Sequence, residues 1–145
     1  MIIAAYIVGG VIVFFGMMAF LVKVILSRAR RTLEEKYPQH CRILTCPMAN
    51  FFGVRSRGYR QVRGNGILIL TDSELFFRML LPAKELRIPL RSVTSVETVR
   101  SFLGKSKLRT LVKVNFRNSQ GADDAAAWLV KDTDQWIDGV RDRLN

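Results

Sequence analysis

The sequence predicts an α+β protein: an N-terminal transmembrane helix, then a small antiparallel β-barrel or sandwich capped by a C-terminal α-helix. Three observations predict it. From Ile2 to Val22, 21 consecutive residues carry no side-chain charge, and Lys23 ends the run. Between Ile67 and Val130, short β-prone apolar runs alternate with turn residues. After Asp132, apolar residues recur at helical spacing.

The first element is the anchor, residues 1–26. At about 1.5 Å per residue, the uncharged run spans the roughly 30 Å hydrocarbon core of a bilayer. A cleaved signal peptide would show a charged n-region, a shorter apolar core and a small-residue cleavage site; Met17-Met18-Ala19-Phe20-Leu21 offers none. A domain of roughly 100 residues cannot hide so long an all-round apolar helix in its core. The segment is therefore expected to remain as an anchor. Lys23, Arg28, Arg30, Arg31 and Lys36 all follow the run, and no basic side chain precedes it. The positive-inside bias then puts the N-terminus outside and the rest on the cytoplasmic face of a plasma or inner membrane. Ala5 and Gly9 have the small-xxx-small spacing that lets helices approach closely, although glycine is common in membrane helices generally.

Residues 27–42 read as a juxtamembrane basic helix and linker. Ser27 to Lys36 continues the helix, and Pro38 ends it. The formal net charge of +11 is concentrated here and just beyond: residues 23–63 hold ten Lys/Arg against Glu34 and Glu35. Basic residues beside an anionic leaflet are each worth about 1 kcal/mol, so lipid headgroups explain this asymmetry more simply than nucleic acid. Cys41 and Cys46 are expected as isolated reduced thiols, and with His40 they fall short of a zinc set.

Residues 43–145 read as the β domain, although 39–63 give no clear pattern. Gly64-Asn65-Gly66 reads as a turn, Ile67–Thr71 as a strand, Asp72-Ser73 as a tight turn and Glu74–Leu80 as the returning strand. After a loop at 81–85, Leu86–Leu90 alternates, with Pro89 marking an edge or bend. Val93–Val99 is β-prone, 101–107 reads as a loop, and Leu108–Phe116 carries Val112, Val114 and Phe116 on one face. Arg117–Gly121 is a turn, and Ala125–Val130 forms a last strand despite its alanines. Asp132 with Gln135 fits a helix cap, and Trp136, Ile137, Val140 and Leu144 share one helical face.

The run Gly66-Ile67-Leu68-Ile69-Leu70-Thr71-Asp72-Ser73-Glu74-Leu75-Phe76-Phe77, followed by Ile88-Pro89-Leu90, Val93, Val96 and Glu97, resembles the second to fifth strands of the pleckstrin-homology superfamily, including its GRAM-like and bacterial members. The likeness covers roughly residues 43–144, with Val93 where isoleucine is usual. It implies a PH-like barrel that binds lipid headgroups or protein. Asn50-Phe51-Phe52-Gly53 and Phe102-Leu103-Gly104-Lys105 lie outside the general pattern and look like marks of a narrower bacterial membrane family.

Arg55, Arg57, Arg60 and Arg63 are the candidate lipid- or partner-binding cluster, because a guanidinium fork donates two parallel hydrogen bonds to a phosphate. The cluster reads either as a headgroup pocket or as a solvated face drawn to an anionic membrane. Phe102, Lys105 and Lys107 join them as a loop that dips into a membrane or meets a partner, or whose apolar residues merely cover the barrel end. Gly104-Lys105-Ser106 lacks the upstream glycine of a phosphate-binding P-loop. Asp123 and Asp124 read as loop residues, and Asp132 and Asp134 serve the helix N-terminus. No Ser/His/Asp set, metal-ligand spacing or nucleotide fingerprint occurs. The expectation is a non-catalytic membrane-anchored module, without cofactor or nucleic-acid partner, that binds anionic lipids, a protein or both; a scaffold subunit of a membrane complex is the alternative.

Overall fold

The computed structural model describes residues 2–144; the side chains of residues 2–5 and of Lys107 stand outside that description. The chain separates into two compact units, one ending at Pro38 and the other beginning at Gln39.

The first unit is a single helix, α1 (Ile2–Lys36). At 1.5 Å per residue it is roughly 50 Å long, so it exceeds the uncharged run by about four turns. Those turns carry Lys23, Arg28, Arg30 and Arg31, all exposed, with Arg31 Nε 3.6 Å from Glu35 Oε1 one turn on. Tyr37 N still donates to Leu33 O at 2.7 Å, and Pro38, with no N–H, ends the ladder. Among the described residues this is the one helix long and apolar enough to cross a membrane.

The second unit is an antiparallel sheet with a C-terminal helix: β1 (Leu44–Val54), β2 (Gly64–Leu70), β3 (Glu74–Met79), β4 (Lys84–Pro89), β5 (Val93–Phe102), β6 (Lys105–Arg117), β7 (Asp123–Leu129) and α2 (Thr133–Arg141). The spatial order is β4-β3-β2-β1-β7-β6-β5, so β1 joins two meanders and β4 and β5 are free edges. Ile88 of β4 and Val96 of β5 nevertheless share one apolar core, so the sheet curls until its far ends face each other. Within that core Phe51, Phe77 and Trp128 form an aromatic triangle with centroids 5.0–6.0 Å apart. Burying such a ring removes ~150–250 Å² from water, which makes this triangle the energetic centre of the fold. Trp136, Ile137 and Val140 of α2 close the same core, with Asp132 Oδ1 accepting Gln135 N at 3.2 Å as its cap. The cap and the apolar face are those expected from sequence.

Three local expectations are corrected. Gly64-Asn65-Gly66 is not a turn but the start of β2. Its glycines serve close packing: a Cβ on Gly64 would lie 2.6 Å from Met79 Sδ, and one on Gly66 would collide with Arg78 O and the Phe77 ring. The loop expected at 101–107 shrinks to Leu103-Gly104, both at positive φ, between paired strands. Asp123 and Asp124 belong to β7 rather than a loop, and Asp124 is buried. The unclear stretch before residue 63 contains β1, the longest strand but one.

Candidate functional site

The four arginines of the expected cluster lie on and around the connection from β1 to β2. Val54 is the last extended residue; a single 3-10 turn, Arg55–Arg57, follows, and Gly58 reverses the chain at φ +72°. Two polar side chains fix this connection. Asp124, on the neighbouring β7, accepts Ser56 N at 3.0 Å and Ser56 Oγ at 2.5 Å, and also takes Ala125 N at 2.8 Å. Burial of that carboxylate is offset by these three donors, as a buried charge requires. Gln61 reaches back to β1: its Nε2 donates to Val54 O and Gly58 O, both at 2.6 Å, and its Oε1 accepts Val54 N at 2.8 Å. A Cβ on Gly53 would sit 3.1 Å from both Gln61 Nε2 and Leu103 Cδ1, and its φ of +125° suits glycine alone.

This frame separates the arginines. Arg55, Arg57 and Arg60 present exposed side chains. Arg63 folds back so that its guanidinium stands 4.2 Å from the centroid of Phe52, a fully buried ring, and its Nη2 is buried without a hydrogen-bond partner. It is a half-buried lid on Phe52 by cation–π contact.

The second expected element, the β5–β6 turn, meets the same frame. Phe102 is buried with Phe52, Leu111, Ala125 and Ala127 in a small cluster separate from the main core, so it covers the sheet and does not protrude. The motifs Asn50–Gly53 and Phe102–Lys105, distant in sequence, thus contribute to one structure. Lys105 is half-buried, and its Nζ donates to Gln61 O at 3.2 Å, which ties the turn to the arginine segment. Lys107 lies within β6, and its side chain is outside the described residues.

Sequence patterning missed the feature that does protrude. Between the pairs Val99↔Leu111 and Ser101↔Ser106, β6 has four residues opposite the single Arg100. In this bulge Leu108 adopts φ +57° and is fully exposed, between Lys107 and Arg109. Tyr59 and Val62, on the arginine connection, are also mostly exposed, and Tyr59 lies beside Gly104. No periodicity marks these apolar tips, because each sits where the chain leaves its strand. Chemically, the surface offers guanidinium donors and isolated apolar side chains on a hydrogen-bonded frame.

Among the described residues no group of three or more His, Cys, Asp or Glu side chains is placed to hold a metal ion. No family model matches the chain, and no curated protein matches it. Among solved structures, the chain is similar to one in the 8S snRNP assembly intermediate, with TM-score 0.57, 13% identity, and coverage of 74% of this chain and 84% of that one. It is also similar to the C-terminal domain of an unknown protein from Leishmania infantum, with TM-score 0.53, 12% identity, and coverage of 79% and 96%. At such identities the likeness is one of fold: a curled antiparallel sheet with a helix is shared, and residue roles are not.

Proposed function

We propose that this is a single-pass membrane protein whose β unit is a PH-like, non-catalytic module that contacts anionic lipid headgroups at the cytoplasmic face of a plasma or inner membrane. The observation that carries the reading is the clamped connection in which Arg55, Arg57 and Arg60 stay exposed, in a chain with a membrane-length helix. The strand order and the C-terminal helix in the main core support the PH-like assignment. The basic residues after the uncharged run support the cytoplasmic orientation. Asp124 and Gln61 each have a structural task at this connection, which supports a frame-holding role for them rather than a chemical one.

Anchoring raises the effective concentration of headgroups, so contacts that are weak individually are sufficient. A protein partner would add to these contacts on another surface. The test is co-sedimentation of residues 39–145 with phosphatidylcholine vesicles and with vesicles containing phosphatidylserine, at low and high salt. Salt-sensitive binding to the anionic vesicles, weakened by Arg55→Gln with Arg60→Gln, is expected. Equal binding to both kinds overturns the lipid reading and favours the scaffold alternative, in which the chain is recovered with a membrane protein partner.

A further inference from the structure

The β unit carries its charge unevenly. Residues 39–71 and 98–122 hold eleven Lys/Arg and no acidic residue, whereas residues 123–142 hold six aspartates against Lys131 and Arg141. Three of the six have local tasks: Asp124 holds Ser56, Asp123 stands 3.8 Å from Arg117, and Asp132 caps α2. The other three, Asp134, Asp138 and Asp142, recur at four-residue spacing and are all exposed, so they form one stripe on α2. Locally this stripe is unfavourable. Like charges four apart on a helix repel, and Asp142, the C-cap, stands where the helix dipole disfavours a carboxylate. Arg143 is taken up by Gly139 O at 3.0 Å and Asp72 at 3.6 Å. Arg141, three residues on from Asp138, offsets one charge of the stripe and leaves the rest.

The complementary surface lies on the other face of the sheet. Successive strand residues point to opposite faces. On β7, Ala126 and Trp128 join the core that α2 closes, whereas Ala125 and Ala127 join the cluster that Phe102 covers. The β5–β6 turn and α2 therefore cover opposite faces, and their charges cannot neutralise each other within one copy. The Lys105 bond to Gln61 O and the closeness of Tyr59 to Gly104 bring the β1–β2 connection to this turn. Arg60, between Tyr59 and Gln61, and Arg109, in the bulge four residues beyond Lys105, thus share one neighbourhood. Both are exposed, and among the described residues neither has an ion pair. The one carboxylate of β5 and β6, Glu97, is held by Lys113 and Asn115. Asp123 and Asp124 pair with Arg117 and Phe116, at the far end of β6 from Arg109.

We propose that β units of this protein associate head to tail, the acidic stripe of α2 in one copy docking on Arg60, Lys105 and Arg109 of the next. Because the two surfaces differ, the contact is heterologous, and it extends into a row or closes into a ring. Exposed ion pairs are individually weak, but copies anchored in one membrane meet at raised effective concentration, so a few are sufficient. The inference takes the membrane anchor from the reading above and goes beyond its lipid contact. Arg60 is common to both, so the association is measured on neutral lipid.

The test is energy transfer between full-length chains carrying donor or acceptor dye on Cys41, the exposed thiol, in phosphatidylcholine vesicles at low and high salt. Transfer that is strong at low salt and lost at high salt is expected. Arg60→Glu with Arg109→Glu should weaken the association at least about tenfold, because attraction becomes like-charge repulsion; Asp138→Arg with Asp142→Arg should do the same. A chain carrying all four changes has both surfaces reversed and should associate again, which a misfolded variant would not do. Arg55→Gln, outside the surface, should leave transfer unchanged. Salt-sensitive transfer without preferential binding to phosphatidylserine vesicles would sink the lipid reading and support this one. Transfer that persists at high salt and ignores the reversals assigns the association to α1 and overturns the proposal. No transfer in the parent, or no recovery in the four-change chain, overturns it as well.

Discussion

Glu97 and Leu108 show how single residues in the β5–β6 hairpin have opposite relations to stability. Glu97 Oε1 accepts Lys113 Nζ at 2.6 Å and Asn115 Nδ2 at 2.9 Å across the strand pair. The Lys113 hydrogen bond, followed by that from Asn115, holds its carboxyl below the ordinary glutamate value. A depressed folded-state pKa gives stability that is present above the unfolded pKa and lost as pH falls through the folded one. Glu97 is exposed and Lys113 half-buried, so water screens the pair and its contribution is about 1 kcal/mol or less. Glu97→Gln should therefore be less stable than the parent at pH 7 in urea unfolding, with the gap closing as pH falls below the carboxylate range. A constant gap would mean that packing, rather than charge, is what the substitution disturbs. Leu108 instead holds a left-handed conformation that costs a non-glycine residue about 1–2 kcal/mol, and its fully exposed side chain recovers nothing by packing. Asparagine tolerates that conformation better, so Leu108→Asn should raise stability by ~0.5–1 kcal/mol in the same assay. If the bulge is a lipid contact, the variant should also bind phosphatidylserine vesicles less well, a gain in stability coupled to a loss of function.

At the scale of elements, the helix α2 is the part of the β unit that the sequence displays most directly. Trp136, Ile137 and Val140 are all buried in the main core, so truncating Trp136 opens a cavity where the sheet meets α2. Trp136→Ala should cost ~3–5 kcal/mol in chemical unfolding of the β unit, whereas the exposed neighbour Gln135→Ala should cost little. The difference in legibility between elements has physical causes. α2 repeats at 3.6 residues and has a polar cap; the β2–β3 hairpin has an apolar run, the tight Asp72-Ser73 turn and its return, so both read directly from the chain. β1 does not, because its register shifts between Cys46 and Ala49 and again between Phe51 and Gly53, and each shift breaks the two-residue alternation. The Gly64 and Gly66 pair imitates a turn because glycine marks both reversals and close approaches, and only the Met79 and Phe77 side chains opposite tell the two apart. Phe102 was expected on a loop for a related reason: a two-residue turn at Leu103-Gly104 leaves it in the last strand position, where it packs on Phe52.

For the whole molecule, the arginines show how little of a surface is written locally. Arg55, Arg57, Arg60 and Arg63 are close in sequence, but the reversal at Gly58 and the Gln61 clamp separate their roles, while Arg57, Arg87, Arg91 and Arg117 gather only because the sheet curls. The length and polarity of α1, by contrast, are fully legible, since both are read from the run of residues alone. Its orientation can be measured with the two cysteines. Cys41 is exposed and Cys46 is buried in the β core, so the chain offers one reactive thiol, on the C-terminal side of α1. In intact cells expressing the full chain, a membrane-impermeant maleimide should leave Cys41 unmodified, and should label it once the membrane is opened by mild detergent. Cys41→Ser should abolish that labelling, which shows that Cys46 is not the site. The intact mass should match the full sequence of 16.5 kDa, and the chain should resist alkaline extraction from membranes. Labelling of Cys41 in intact cells would reverse the orientation and expose the β unit to the outside, where a cytoplasmic-leaflet role fails. A mass reduced by the length of the apolar run would make that run a cleaved signal sequence, and the arginine surface would then have to find its anion without a tether.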